Sequence, residues 1–280
     1  MREVAIIGAG ELGGAVAHQL ARSDVVRAIR LIDENGSIAA GKALDLSQAA
    51  PIEGFATEVS GSTDVATGAG AGIVVLAERA VGGEWRGDDG VQLLRRIAAS
   101  APTAVIVCSG SQQRELIERG VRELRIARDR LIGTAPEALT AAACALVAVA
   151  ANVSPRDVSL TIVGVPPDHT VVAWDEATIG GFALTRQLDE PTRRRIARHV
   201  VAVWPPGPHA LAAASIKAIE AIAGRGRRIV SCFVGPDTAM GLRTRAAALP
   251  VRLTRSGIAD VIVPSLSVGE RIALDNAMQV

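Results

Sequence analysis

Short apolar runs bounded by glycine, aspartate or serine recur through the first half of the chain, at Val4–Ile7, Ile29–Ile32, Ile73–Leu76 and Ala104–Val107. Runs this brief and this rich in β-branched residues predict buried strands. Between them, Leu12–Ala21, Ile38–Ala49 and Asp89–Ala99 read as helices with one buried face. Strands and helices alternating at this spacing predict a parallel sheet covered on both faces. After about Gly133 the pattern changes. A long helix, Pro136–Ala150, leads into Val158–Val163 and Val171–Trp174, two strands able to pair antiparallel. Helices Pro191–Val203 and His209–Ala223 follow, broken by Trp204-Pro205-Pro206-Gly207-Pro208, and then strands Arg228–Val234, Val251–Thr254 and Ala259–Val263. A final helix opens at Ser267 with Glu270 three residues on, the spacing of a capping box.

Composition narrows the function more than the fold. A chain of 280 residues admits one or two domains. Hydrophobic residues at 49% and charged residues at 21% fit a folded globular protein. The net charge of +1 offers no footprint for nucleic acid or an anionic membrane. Aromatic residues reach only 2%, with no tyrosine, which removes the stacking platforms of single-strand binding. The densest basic run, Arg193, Arg194, Arg195 and Arg198, reads as the solvated side of a helix. Cys108, Cys144 and Cys232 are odd in number and far apart, so neither a disulfide framework nor a metal site is expected. The apolar run Ala141–Ala151 is too short to span a bilayer, which takes about 20 residues. With no signal-peptide pattern at the start, a soluble cytoplasmic protein is expected.

The chemistry that stands out follows the first strand. Gly8-Ala9-Gly10-Glu11-Leu12-Gly13 closes that strand and opens the first helix, the context that a G-x-G-x-x-G motif needs in order to mean dinucleotide binding. Gly8 permits the tight turn, Gly10 lets the backbone approach a diphosphate, and Gly13 lets helix and strand pack closely. The diphosphate would lie against free N–H groups of the helix N-terminus. Asp33 ends the second strand, twenty positions beyond Gly13. An acid there accepts hydrogen bonds from the adenosine ribose and repels a 2′-phosphate, which selects NAD over NADP. The predicted fold class is therefore α/β, with a Rossmann-type doubly wound parallel sheet over residues 1–133 followed by a smaller α+β substrate domain over 134–280.

From here the chain resembles the lactate/malate dehydrogenase family nearly end to end. The resemblance rests on Ile32-Asp33-Glu34-Asn35 through Gly41-Lys42-Ala43-Leu44-Asp45-Leu46, and on Ile132-Gly133-Thr134. It continues in Asn152-Val153-Ser154-Pro155-Arg156-Asp157-Val158 and in Val251-Arg252-Leu253 with Gly257. It implies hydride transfer between NAD and a 2-hydroxy or 2-oxo acid, with a histidine as proton donor and an aspartate orienting it. It also implies one arginine gripping the substrate carboxylate and a second, on a mobile loop, polarising the carbonyl. Arg79, Gly83-Glu84 and Arg86 are similar to that loop, which makes Arg79 and Arg86 the implied substrate-binding residues and Arg86 the polarising one. Ala77 and Ser109 are implied to border the coenzyme, Ser109 in place of an asparagine. A homodimer or homotetramer is implied as well.

Other positions depart from the family. Leu139 stands for the aspartate, Ala142 for the carboxylate-gripping arginine and Pro166 for the histidine, while Asp168 and Trp174 stay in register. Pro206 replaces a small polar residue of a later helix. His169, beside Asp168, and His209 are the histidines able to take over proton transfer, and His169 with Asp168 and Arg86 forms the candidate catalytic set. Two functions are thus open. One is an NAD-dependent oxidoreductase with a pocket rebuilt for an unknown substrate, and the other a catalytically silent NAD-binding sensor or scaffold. In both, ordinary malate and lactate turnover is expected to be very low.

Overall fold

The computed structural model describes residues 3–225, 229–236 and 245–279. Six parallel strands form its first half: β1 (Glu3–Ile7), β2 (Ala28–Ile32), β3 (Glu58–Ser62), β4 (Ile73–Leu76), then, after two short strands of a loop, β5 (Glu78–Arg79) and β6 (Gly83–Glu84), β7 (Val105–Cys108) and β8 (Leu131–Gly133). Helices α1 (Glu11–Arg22), α2 (Gly36–Glu53), α3 (Gly87–Ser100) and α4 (Arg114–Arg122) connect them. Their order in the sheet is β3-β2-β1-β4-β7-β8, so the chain reverses its direction of travel between β1 and β4. In such sheets ligands bind at the carboxyl ends of the strands flanking that reversal. The central strands are apolar because helices cover both faces, and β4 and β7 are buried at every residue.

Helix α5 (Ala135–Ala151) begins the second half. Strands β9 (Val158–Ser159), β10 (Ile162–Val165), β11 (His169–Val172), β12 (Thr178–Ile179) and β13 (Phe182–Ala183) come next, then helices α6 (Glu190–Ala202) and α7 (Pro208–Ile222). Strands β14 (Ile229–Val234), β15 (Ala247–Thr254) and β16 (Gly257–Val261) and helix α8 (Val268–Gln279) complete the chain. The sheet does not stop at β8. Strand β14 pairs antiparallel with it, β15 with β14, β10 and β16 with β15, and β11 with β10, giving eleven strands among the described residues. One large apolar core follows this sheet, and a smaller one fills the space between α5, α6 and β10 around Leu139, Val147, Ile162 and Val200.

The predicted elements differ from the observed ones in instructive places. The run Val158–Val163 is two strands, because β9 joins a separate three-stranded sheet with β12 and β13 while β10 joins the main one. The run expected at Val171–Trp174 begins two residues earlier, at His169, immediately after the Pro166–Asp168 turn. Arg228, expected to start the next strand, lies outside the described residues. Strand β3 was invisible to hydrophobic patterning since Glu58-Val59-Ser60-Gly61-Ser62 is polar and half-exposed at the sheet edge. The expected capping box is present: Ser267 N–H donates to Glu270 Oε2 at 2.8 Å and Glu270 N–H to Ser267 Oγ at 3.3 Å. Glu270 Oε1 also receives the Trp174 N–H at 2.7 Å, tying α8 to the end of β11. Glu270→Ala should therefore lower the unfolding free energy by about 1–2 kcal/mol, read from the urea midpoint at unchanged slope, with Glu270→Gln losing less.

Candidate functional site

The turn between β1 and α1 is built around missing side chains. Gly8 has φ +111°, a region costly for other residues, and its N–H donates to Ile32 O at 2.7 Å. A Cβ on Gly13 would lie 1.9 Å from Gly8 O, so the close approach of helix and turn requires glycine there. The helix N-cap, Gly10, contributes no side-chain cap, which leaves the first N–H groups of α1 facing the end of the sheet. Ala9 is buried and Glu11 exposed. This geometry suits the diphosphate of a dinucleotide, and a carboxylate lies against it. The carboxylate of Glu78, the residue after Ala77 at the end of β4, accepts the Leu12 N–H at 3.0 Å through Oε1. Lys42 Nζ donates to Gly10 O at 2.6 Å, placing a cation beside the same turn.

Asp33 is 4% exposed, and backbone donors surround its carboxylate. Oδ2 accepts from Ala9 N–H at 2.7 Å and Ala80 N–H at 2.8 Å, and Oδ1 from Asn35 N–H at 2.9 Å. The acid that sequence assigns to ribose recognition thus also fastens the glycine turn to the loop after β4.

That loop is an antiparallel hairpin of β5 and β6. Arg79 lies 4.6 Å over the Trp85 ring, donates to Gly82 O at 3.3 Å and approaches Asp89 at 3.9 Å. Arg86 is exposed at the N-cap of α3 and donates to Gln112 Oε1. Glu84 accepts the Ser111 N–H at 3.0 Å, the Ser111 hydroxyl at 3.1 Å and the Gln112 N–H at 2.9 Å. The hairpin therefore rests on the loop that leads into α4.

On the substrate side, Leu139 is fully buried in the smaller core, Ala142 is half-buried one turn along α5, and Pro166 is buried at the end of β10. Asp168 is exposed and His169 half-buried at the start of β11, and neither side chain bonds to any described residue. His209 is exposed on the first turn of α7. Ser109 is fully buried, and the Ser215 hydroxyl sits 2.8 Å from both its hydroxyl and that of Thr134, and 2.9 Å from Leu211 O. The structure brings together the glycine turn, Asp33 and Ala77, and it places His169 on a different strand pair at the far edge of the sheet.

Pattern reading passed over Glu78, and it took Lys42 of α2 and Glu84 of β6 only as part of the family resemblance, with no sign of the contacts they make. It also passed over Glu137, which is buried in α5, pairs with Lys217 of α7 and accepts the Ser231 N–H at 2.7 Å. These two border a cavity of about 450 Å³ with Thr140, Cys144 and Arg156.

Burial pushes the Cys108 and Cys232 thiols far above the usual range, reinforced by the carboxylates of Glu84 and Glu137 respectively. Burial also raises Cys144. None of the three is then a thiolate near neutral pH. Titration with a chromogenic thiol reagent at pH 8 should find Cys108 and Cys232 unreactive in the native protein and all three cysteines reactive in guanidinium.

Comparison with known proteins agrees with this geometry. The family model described as lactate/malate dehydrogenase, NAD binding domain, matches residues 2–117. Malate dehydrogenase of Thioalkalivibrio sulfidiphilus is 29% identical over 296 aligned residues, covering 99% of this chain and 96% of its own. L-lactate dehydrogenase of Allorhizobium ampelinum is 28% identical over 297, covering 97% and 94%. Among solved structures, malate dehydrogenase from Salinibacter ruber superposes with a TM-score of 0.87 at 24% identity, over 99% of this chain and 94% of that one. Lactate dehydrogenase from Cryptosporidium parvum, solved with lactic acid and nicotinamide adenine dinucleotide, gives 0.88 at 21%, over 99% and 95%.

Proposed function

We propose a function from the premise that this chain belongs to the lactate/malate dehydrogenase family and binds NAD through its N-terminal half. By family it is an NAD-binding, dehydrogenase-like oxidoreductase. Our reading is that it turns over malate or lactate little, if at all. NAD supplies hydride-transfer chemistry when bound. The chain's own residues hold it: the Gly8–Gly13 turn and the α1 N-terminus at the diphosphate, and Asp33 at the adenosine ribose, where a carboxylate disfavours a 2′-phosphate.

The observation that carries this reading is the state of the positions that the resemblance assigns to catalysis. Pro166 has no titratable group to hold a proton at the substrate oxygen. Leu139, inside an apolar core, neither orients a histidine nor stabilises its cation. Ala142 offers no donor to a carboxylate. Losing general acid–base catalysis alone costs about 10²–10⁴ in rate, and these losses overlap rather than multiply because the groups act as one constellation. Arg79 and Arg86 belong to the reading as substrate-binding residues, and each must leave its present contact, Trp85 or Gln112, to reach a substrate.

A half-buried, unpartnered His169 beside Asp168 favours a second reading, an oxidoreductase rebuilt for a different hydroxy or oxo substrate. Both readings keep the division of labour near residue 133, a cytoplasmic location and a homodimer or homotetramer. Leu44 and Ile52 of α2, 60% and 88% exposed, are apolar side chains that a second copy could cover. No helix among the described residues is long and apolar enough to cross a membrane.

The test is NADH consumption at high protein concentration with oxaloacetate and with pyruvate, alongside NADH binding by calorimetry. Binding with turnover far below the ~10 s⁻¹ typical of enzymes is expected. A rate near that value with either acid overturns the proposal, and His169→Ala and His209→Ala would then identify the proton donor.

A further inference from the structure

Two glutamates dominate the hairpin after β4, and their arrangement is unfavourable in isolation. Glu78 and Glu84 are direct cross-strand partners of β5 and β6. Like charges in that relation repel. Each carboxylate instead turns to separate backbone donors, Glu78 to Leu12 N–H in the first turn of α1 and Glu84 to Ser111 and Gln112 N–H of the turn before α4. Charge-assisted bonds to these N–H groups, and for Glu78 the positive end of α1, offset the repulsion only while the hairpin stays seated.

The groups that seat the hairpin are those expected to serve the coenzyme. Gly10 N–H donates to Glu78 O at 3.0 Å, and Leu12 N–H to the Glu78 side chain. Asp33 Oδ2 accepts the Ala80 N–H. A Cβ built on Gly10 would lie 2.3 Å from Glu78 Cγ and 2.7 Å from its Oε1, so the space that this glycine opens is filled by the glutamate. Arg79 fastens the hairpin through Trp85 and closes its turn at Gly82 O.

We infer that Glu78 is an internal anion seated where the coenzyme diphosphate binds, so that the closed hairpin and the bound dinucleotide exclude one another and Glu78 sets coenzyme affinity. The inference rests on the NAD-binding reading above. Its sense is opposite to the loop closure over substrate that the family resemblance implies, because here the loop must leave before the coenzyme arrives. The exchange is one anion for another at the α1 N-terminus: Leu12 N–H passes from a carboxylate to a diphosphate, and Asp33 Oδ2 loses Ala80 and can turn to the ribose. Glu78, once displaced, lies across from Glu84 without a helix to receive it, which drives the hairpin out as a unit. Apparent affinity then falls by the fraction of molecules in the open state.

The experiment is calorimetric titration of NADH into the full chain and into Glu78→Ala and Glu78→Gln, with folding of each checked by circular dichroism and thermal melting. Glu78→Ala should bind about tenfold tighter than the unmodified chain, the change expected if a hairpin closed in roughly nine molecules in ten is released. Glu78→Gln, which keeps an acceptor but no charge, should fall between them. Hydrogen exchange should show residues 79–84 losing protection when NAD saturates the unmodified chain. Equal affinity in all three proteins, or weaker binding by Glu78→Ala, overturns the inference and leaves NAD binding intact, as does unchanged exchange in the hairpin. Binding by none of the three removes the coenzyme reading and the inference together.

Discussion

The first helix begins on a glycine, and much of the site follows from that. Gly10 has no side chain to receive the free N–H groups of α1, so their acceptors come from elsewhere, and an anion suits the positive end of the helix. Position fixes which anion can reach. The helix starts at the carboxyl end of β1, and its neighbour β4 delivers the next loop to the same point, so whatever follows Ala77 lies against the helix end. Residue 78 is a glutamate, and its carboxylate takes the place. Lys42 against the Gly10 carbonyl and Asp33 against Ala9 and Ala80 complete a knot of charges around a turn that three glycines keep open.

On α5 the packing around position 139 is apolar. An aspartate at position 139 would need a partner and a polar channel, whereas Leu139 needs only neighbours, and it has them in the core between α5, α6 and β10. Charge instead appears two residues earlier, on another face of α5, where Glu137 finds Lys217 and the Ser231 amide. A buried carboxylate survives only with such partners. The hydroxyls of Ser109, Thr134 and Ser215 form a second buried polar group, anchored to the Leu211 carbonyl through Ser215.

Most of the architecture was legible in the sequence because it depends on burial, and burial leaves a period. Apolar runs at β1, β4 and β7 and the helical repeats of α1 and α3 were plain for that reason, and the glycines marked the turn by the side chains they lack. What escaped notice was polar. Strand β3 is hydrogen-bonded at an edge where alternation has nothing to bury, and β9 parts from β10 because of pairing partners more than a dozen residues away. The roles of Glu78 and Glu84 were illegible for a related reason. A carboxylate that caps a helix sixty-six residues distant leaves no local signature, and only the fold brings the two together.

Strand β8 is bonded on one side to β7 and on the other to β14, so hydrogen bonds run without interruption from the first half of the chain into the second. Enzymes that clasp their ligands by swinging two lobes need a seam that can flex, and an unbroken sheet supplies a stiff plate in its place. The mobile part is then reduced to a few residues beyond the carboxyl end of β4, in the middle of the plate, which shift while the molecule keeps its outline. Opening the cleft becomes a matter of lifting a small stopper from a rigid vessel, with little surface exposed and little solvent reorganised in the act.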